Sequence, residues 1–580
     1  MDLYIQAKAA EHLFNIIMGK SIKSTLPFNP EKPAAEFKVG EYCEFQKVNP
    51  EDVGLSSKKL TEMLTKMEES ESANVHSIVI IKDNKMVMDA SFAPFRSDIW
   101  QVTHSASKTL TAMAIGILVT RGKLKAETKL TEIFENEMNI VSKLKLGKIT
   151  LKHLLTMSSG LVANELMIVS EKDYLKAALD SSVSFEPGSK FQYNSINSYL
   201  LSCIVQKITS KTQLEFLKEE LFSKLNIENV FWESCPMGRT KGGWGLYMLP
   251  SDLAKLGVFL LNGGKINGET IISEGYLKEM LSHQISVNEK GEGYGYQTWM
   301  GKRENSFLFN GMLGQNVHCF PDLNTVVAVT GGCPHLFSDC KVNEIINEYF
   351  AECKAFKDVS FSKKEVKAFK KKCENLKNPL FSLKSRRKIL FKSKLPKECG
   401  LLNGKTFELE NRLLHTEPFF SRLISNSYPE GINKISFYTE NNRFFIKITE
   451  GECENIIPLN FEKEEITDIV SNGVKYKAAV KAKFTKDEDE RTVLKISLPF
   501  LEHSSGQIIK IFIESEKEIR IRTEEKPGRE VIEEGFVTLS GMFNDKGSSN
   551  LIKKIDPQLV RNLSLSITQP ESRAHLSEKE

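Results

Sequence analysis

The stretch WQVTHSASKTLT, residues 100–111, places a serine, a second serine and a lysine at the start of an apolar run. If the chain is helical here, Ser105 and Lys108 stand three residues apart on one face, close enough for the amine to reach the hydroxyl. A serine hydroxyl is a poor nucleophile until a base removes its proton, and a nearby amine with a lowered pKa can be that base. The start of a helix adds free backbone N–H groups and a positive dipole end, both favourable to an oxyanion formed by attack. The chemistry suggested is acyl transfer through a serine ester. The spacing alone is weak evidence. Ser56 and Lys59 repeat it on what reads as an ordinary surface helix, and a capping serine with a solvated lysine accounts for an isolated match.

Elements able to position such a pair can be read around it. Leu55, Leu60, Met63, Leu64 and Met67 recur at spacings that put them on one face of a helix. HSIVIIKDNKMVMDASF follows, two apolar strands around Lys82-Asp83-Asn84-Lys85, which is a hairpin signature. The run SASKTLTAMAIGILVTRGKL reads as a helix ended by Gly122, which is suited to a left-handed cap. Helical patterns fill residues 120–285, and strands return in NSFLFNGMLGQNVHCFPDLNTVVAVTGG around the turn Pro321-Asp322-Leu323-Asn324. The order β, long α, β fits an antiparallel sheet completed by both ends of one domain, with helices packed on it.

At 580 residues the chain is long enough for several cores, and 41% hydrophobic with 27% charged residues is the composition of folded, not disordered, protein. The formal charge of +4 is unevenly spread: Lys363–Lys397 carries a balance of +12 and the rest −8. Such a run is more often a solvated helix face or linker than a patch for nucleic acid or anionic lipid. The amino terminus lacks an uninterrupted apolar region followed by a small-residue cleavage site, and no apolar run approaches the roughly 20 residues that span a bilayer. The ten cysteines form no C-x-x-C pair or Cys/His array, which argues against a zinc site and a disulfide framework. The expectation is a cytoplasmic protein with reduced thiols. Gly242-Gly243-x-Gly245 lacks the Lys-Ser/Thr ending of a phosphate loop.

Taken in order, QVTHSASKTLTAMAIGILVTRGKL, ITLKHLLTMSSGL, FEPGSKFQYNSINSYLLSCIV, GGWGLYMLPSDLAKLGVFLLNGG, YGYQTWM and FNGMLGQNVHCFPDLNTVVAVTGG resemble the serine β-lactamase and penicillin-binding-protein superfamily over roughly residues 50–350. Within it they resemble the class C-like branch of esterases, amidases and peptidases. The resemblance implies an α+β fold of two lobes, one an antiparallel sheet flanked by helices and the other all helical, with the active site between them. By position, Ser105 resembles the family nucleophile, Lys108 its motif lysine, and Tyr193 the tyrosine of the Y-x-N motif. A tyrosine suits that place, because a phenolate held by a lysine cation can take the serine proton and return it to the leaving group. Whether Lys108 or Tyr193 is the base stays open at this level.

Two departures matter. The asparagine of Y-x-N is replaced by Ser195, with Asn194 before it, so either Asn194 or Ser195 is the candidate for holding substrate. The third motif, usually begun by Lys or His, falls at Phe309-Asn310-Gly311. A site without that cation lacks the grip on a substrate carboxylate, which favours a small neutral ester or amide over β-lactams and peptidoglycan stems. Gly311 would let substrate approach the strand backbone, with Asn310 beside it and the Met312 N–H as second oxyanion donor. Trp244, in a Gly-rich loop, is expected to touch substrate. Tyr294, Tyr296 and Trp299 read as core more readily than as pocket wall. His104 and His318 read as structural. No cofactor or metal is implied; the partner is a small-molecule substrate, and the oligomeric state is not set.

The domain reading is a helical leader at 1–50, the hydrolase domain at 51–356, a basic linker or helix at 357–399, and a β-rich accessory domain at 400–545, where apolar and polar residues alternate. A charged, flexible tail at 546–580 ends it. The expected function is a serine hydrolase working through an acyl-enzyme. The rival is a β-lactamase-fold protein that binds or regulates without efficient turnover, since fold does not dictate function.

Overall fold

The computed structural model describes residues 31–38, 44–336, 340–378, 395–542 and 557–577. Strands Val75–Lys82 and Lys85–Ser91 form the expected hairpin, because Asp83 and Asn84 take the left-handed φ values, 52° and 57°, that a tight two-residue turn requires. They begin an eight-stranded antiparallel sheet. Its order is Lys85–Ser91, Val75–Lys82, Thr325–Gly331, Gln315–Phe320, Phe307–Gly311, then three two-residue strands ending at Ile285–Ser286. Both ends of the domain thus build one sheet, with Ile80 opposite Val327.

Helices cover both faces. Val79, Ile81, Val326 and Ala328 pack on one side with helices Ser107–Thr120 and Pro250–Leu261. Ile78, Ile80, Val327 and Val329 pack on the other with Ser57–Glu69 and Lys341–Ile346. Double burial explains why these strands are nearly continuous Val and Ile, each stabilising by about 1.5–3 kcal/mol on full burial. Helix Ser107–Thr120 is buried from Ser107 to Leu118, and Gly122, φ 67°, follows its end. Helix Ser195–Thr209 lies beside it in the helical lobe.

The C-terminal region is a ten-stranded antiparallel sheet. Its end strands, Cys453–Leu459 and Glu465–Ser471, meet through Asn455, whose Nδ2 donates to Val470 O (2.9 Å) and whose Oδ1 accepts from Val470 N (2.7 Å). A side-chain amide stands in for a ladder pair and makes the sheet barrel-like. Phe407, Phe437, Phe444, Ile446, Ile496 and Ile511 fill it.

Three expectations about segments change. Residues 557–577 are not a flexible tail: helix Pro557–Thr568 precedes strand Glu571–Leu576, which inserts between Thr406–Leu409 and Glu518–Lys526. The small residues Ser572 and Ala574 face inward, and Glu571 pairs with Arg520 and Arg522, so little hydrophobicity marks the strand. Within the basic segment, helix Lys363–Lys377 buries Val366, Phe369 and Leu376, and Lys372 pairs with Glu68, so it is a helix of the N-terminal domain; residues 379–394 lie outside the described residues. Of the helical leader, 1–30 and 39–43 lie outside them too. Residues 31–38 are not helical but are wedged between the domains, with Ala35 packed among Trp100, Val102, Tyr247 and Leu501.

Candidate active site

Ser105 lies in a single 3-10 turn, His104–Ala106, that runs directly into helix Ser107–Thr120. One turn on, Lys108 Nζ is 2.9 Å from Ser105 Oγ and donates to Gly243 O at 2.8 Å. Lys108 is 2% exposed, and burial lowers its pKa to about 7, with the nearby Glu165 charge opposing. Near neutrality a large share of this amine is therefore unprotonated and able to accept the serine proton.

Tyr193 precedes helix Ser195–Thr209. Its phenol is hydrogen-bonded to the Ser105 side chain, and Lys108 Nζ lies 5.0 Å from its ring centroid. Burial raises the Tyr193 pKa above its ordinary value; the Ser105 hydrogen bond pulls down and Glu165 adds to the rise. The serine, lysine and tyrosine thus meet, with the tyrosine protonated and the lysine poised.

The other expected residues divide. Asn194 is a helix cap: Oδ1 accepts from Ile196 N (2.9 Å), and Nδ2 donates to Leu161 O (3.0 Å) and Ala163 O (2.8 Å). Both protons of its amide are committed to backbone carbonyls, which leaves it none to donate to a substrate. Asn194→Ala is expected to lower stability by about 2 kcal/mol through lost capping and orphaned carbonyls, read as a fall in thermal midpoint. Ser195 is buried, and its N–H donates to Glu165 Oε1 (3.0 Å).

On strand Phe307–Gly311, Phe309 is fully buried in the core, so the third motif offers the cleft no side chain at its first position. Asn310 is half-buried, and its Oδ1 is enclosed with no hydrogen-bond partner among the described residues. A Cβ on Gly311 would come 2.4 Å from Thr103 O, so only glycine lets this strand approach the entry to the Ser105 turn. Met312 opens the next turn and packs with Leu313, Leu336 and Phe420.

Trp244 is not at a loop tip. It is 7% exposed in the core, and its carbonyl accepts from Trp232 Nε1 (2.9 Å). Its neighbour Gly243 is the part of that loop at the site, through the carbonyl that receives Lys108. Tyr294 and Tyr296 are buried, whereas Trp299 and Phe191 keep partial exposure and stand beside Tyr193. Trp299 lies 5.9 Å from Tyr193 and 6.1 Å from Phe191, centroid to centroid, which makes an aromatic wall. His104 is buried, its pKa pushed down to about 3 by burial and then by Lys108, so it is no acid. His318 contacts Asn343 Oδ1 (3.0 Å) and stacks on Phe320.

Sequence reasoning passed over Glu165, Gly243 and Phe191. Glu165 opens a short helix behind its cap Asn164, an ordinary first-turn acid by pattern. Only its long-range placement against Lys108 and Tyr193 distinguishes it.

The sequence model of the Beta-lactamase family matches residues 61–344. A 6-aminohexanoate-dimer hydrolase of Paenarthrobacter ureafaciens is 27% identical over 158 residues, 25% of this chain and 40% of the relative. An N-acetylmuramyl-L-alanine amidase of Bacillus subtilis (strain 168) is 24% identical over 257 residues, 39% of this chain and 57% of the relative. Each match spans less than two thirds of the relative's length. The octameric penicillin-binding protein homologue from Pyrococcus abyssi aligns with 80% of this chain and 97% of its own at 16% identity and a TM-score of 0.38. Over residues 61–344, which hold the helix-flanked sheet together with Ser105, Lys108 and Tyr193, the chain matches the Beta-lactamase family model.

Proposed function

We propose that this protein is a serine hydrolase that cleaves small neutral esters or amides through a covalent acyl ester on Ser105. The observation that carries the reading is the buried Lys108 amine, 2.9 Å from Ser105 Oγ, with its pKa brought to about 7. Neutral Lys108 takes the serine proton as Oγ bonds to the substrate carbonyl carbon, and backbone N–H groups at the turn and at the end of strand Phe307–Gly311 hold the oxyanion. Collapse breaks the bond to the leaving group, which receives the proton from Lys108 or through Tyr193, and water then cleaves the ester by the reverse relay. Lys108 is the resting base, because Tyr193 is held protonated.

Neutral substrates are favoured by the burial of Phe309, which leaves no third-motif cation, and by the apolar wall of Phe191, Tyr193 and Trp299. Two of the sequence relatives are, by name, a hydrolase and an amidase. The test is hydrolysis of p-nitrophenyl esters and anilides by wild type and Ser105→Ala. Turnover by the wild type with a loss of roughly 10³-fold or more in the variant supports the reading; equal rates, or no turnover of any neutral substrate, would overturn it.

Glu165 gives a finer test. Its charge favours protonated Lys108, so Glu165→Gln, which keeps an acceptor for the Ser195 N–H, is expected to lower the Lys108 pKa further. The acid limb of the kcat/KM–pH profile then moves to lower pH. A limb that stays or rises would show that Glu165 does not act on the base.

A further inference from the structure

The residue just before the nucleophile is held from another domain. His104 has φ 46°, a left-handed conformation that strains a non-glycine residue and persists only where its surroundings enforce it. Its side chain reaches out of the hydrolase domain. Nε2 is 2.6 Å from Ser504 Oγ, and the ring meets Phe420 edge-on at 6.2 Å. Both partners belong to the C-terminal barrel domain.

Ser504 is 4% exposed, in the turn between strands Thr492–Pro499 and Gly506–Ile513. This turn runs along the segment that leads to the nucleophile. Val102 N donates to Glu502 O (2.8 Å), and Trp100 Nε1 donates to Glu502 Oε2 (2.7 Å). A Cβ on Gly332 would lie 2.5 Å from Ser504 O, so the turn is pressed against the hydrolase backbone. Ser421 Oγ, next to Phe420, is 2.6 Å from Ser505 Oγ, which ties helix Phe419–Ser425 to the same turn.

We infer that Ser504 is a positioning residue for the hydrolase reaction: by holding His104 it fixes the strained turn that presents Ser105 to Lys108. The inference rests on the reading of Ser105 as nucleophile. It gives the barrel domain a part in building the site, since the local sequence around Ser105 does not by itself enforce the left-handed residue before it. A misplacement of about 1 Å at a reacting group can cost on the order of 10²-fold in rate, so loss of one anchoring hydrogen bond is expected to slow acylation without altering substrate binding.

The experiment uses the full chain as wild type, Ser504→Ala, Ser504→Thr, His104→Asn and the double variant His104→Asn/Ser504→Ala. Asparagine is chosen at 104 because it tolerates a left-handed φ. Two quantities are measured: the saturation kinetics of Ser105 labelling by a fluorophosphonate, and deuterium exchange of the peptide spanning residues 100–108. Ser504→Ala is expected to slow the limiting labelling rate about 10-fold to 100-fold with an unchanged half-saturation concentration, and to speed exchange in that peptide. Ser504→Thr, which keeps the hydroxyl, should recover both. Adding Ser504→Ala to His104→Asn should change neither further, because Ser504 acts through His104. Wild-type rates and exchange in Ser504→Ala would overturn the inference, as would an effect that persists undiminished in the His104→Asn background. A wild type that is folded but unlabelled would instead count against Ser105 as nucleophile, and the exchange arm would still decide whether Ser504 holds the turn.

Discussion

Replacing Lys108 with methionine is expected to lower turnover by about 10²- to 10⁴-fold, the range that a positioned general base contributes, while leaving the protein folded. The fold survives because the amine sits in a site that disfavours its charge: burial is the first cause of its lowered pKa. A linear apolar side chain of similar length fills the same space without that desolvation cost, and the loss is confined to the bonds to Ser105 Oγ and Gly243 O. The pH dependence gives the sign. If the working base of the wild type is the neutral amine, as proposed, kcat/KM is expected to fall as pH drops below about 7 and to level off above it. In Lys108→Met that acid limb should disappear along with most of the rate. Rate–pH profiles of both proteins check this; an unchanged limb in the variant would assign it to another group.

The second large effect is on stability. Lys32 and Glu502 form an ion pair of 2.6 Å with side-chain exposures of 4% and 0%. Glu502 also accepts from Trp100 Nε1 and Lys477 N, both at 2.7 Å, while Lys32 donates to Lys475 O and lies over the Tyr476 ring. One carboxylate therefore joins the segment before Ser105, the wedge at 31–38 and the barrel. Glu502→Ala removes one partner of a buried pair and is expected to cost about 3–5 kcal/mol. Burial already lowers the Lys32 pKa, so the stranded amine is expected to shed its proton and not remain charged. Calorimetry should show a lower first transition, with the barrel and N-terminal domains separating into distinct melts. Lys32→Met combined with Glu502→Gln should recover much of the loss, because no uncompensated charge remains. A Glu502→Ala protein that melts as one unit at the wild-type temperature would contradict this account of the interface.

What the sequence conveyed and what it hid follow from the range of the interactions involved. Ser105 and Lys108 were legible because a three-residue helical spacing is local, and the barrel strands because alternation such as Phe444, Ile446 and Ile448 is local too. Asn194 was misread as a substrate ligand because a capping asparagine and a binding asparagine look alike until the carbonyls of Leu161 and Ala163 are placed around it. Trp244 was expected at the substrate because flanking glycines suggest a loop bordering the site, whereas here they permit close packing: a Cβ on Gly242 would lie 2.7 Å from Ser198 O. Strand Glu571–Leu576 hid behind small and charged residues whose partners, Arg520 and Arg522, lie some fifty positions earlier. The contact of Ser504 with His104 spans 400 positions, beyond any periodicity.

The central claim is that Ser105 is an activated nucleophile, and it is tested most directly by the intact mass of the protein after incubation with a fluorophosphonate, beside Ser105→Ala. The account predicts one adduct on the wild type and none on the variant. No adduct on a folded wild type, or equal labelling of both, would contradict it.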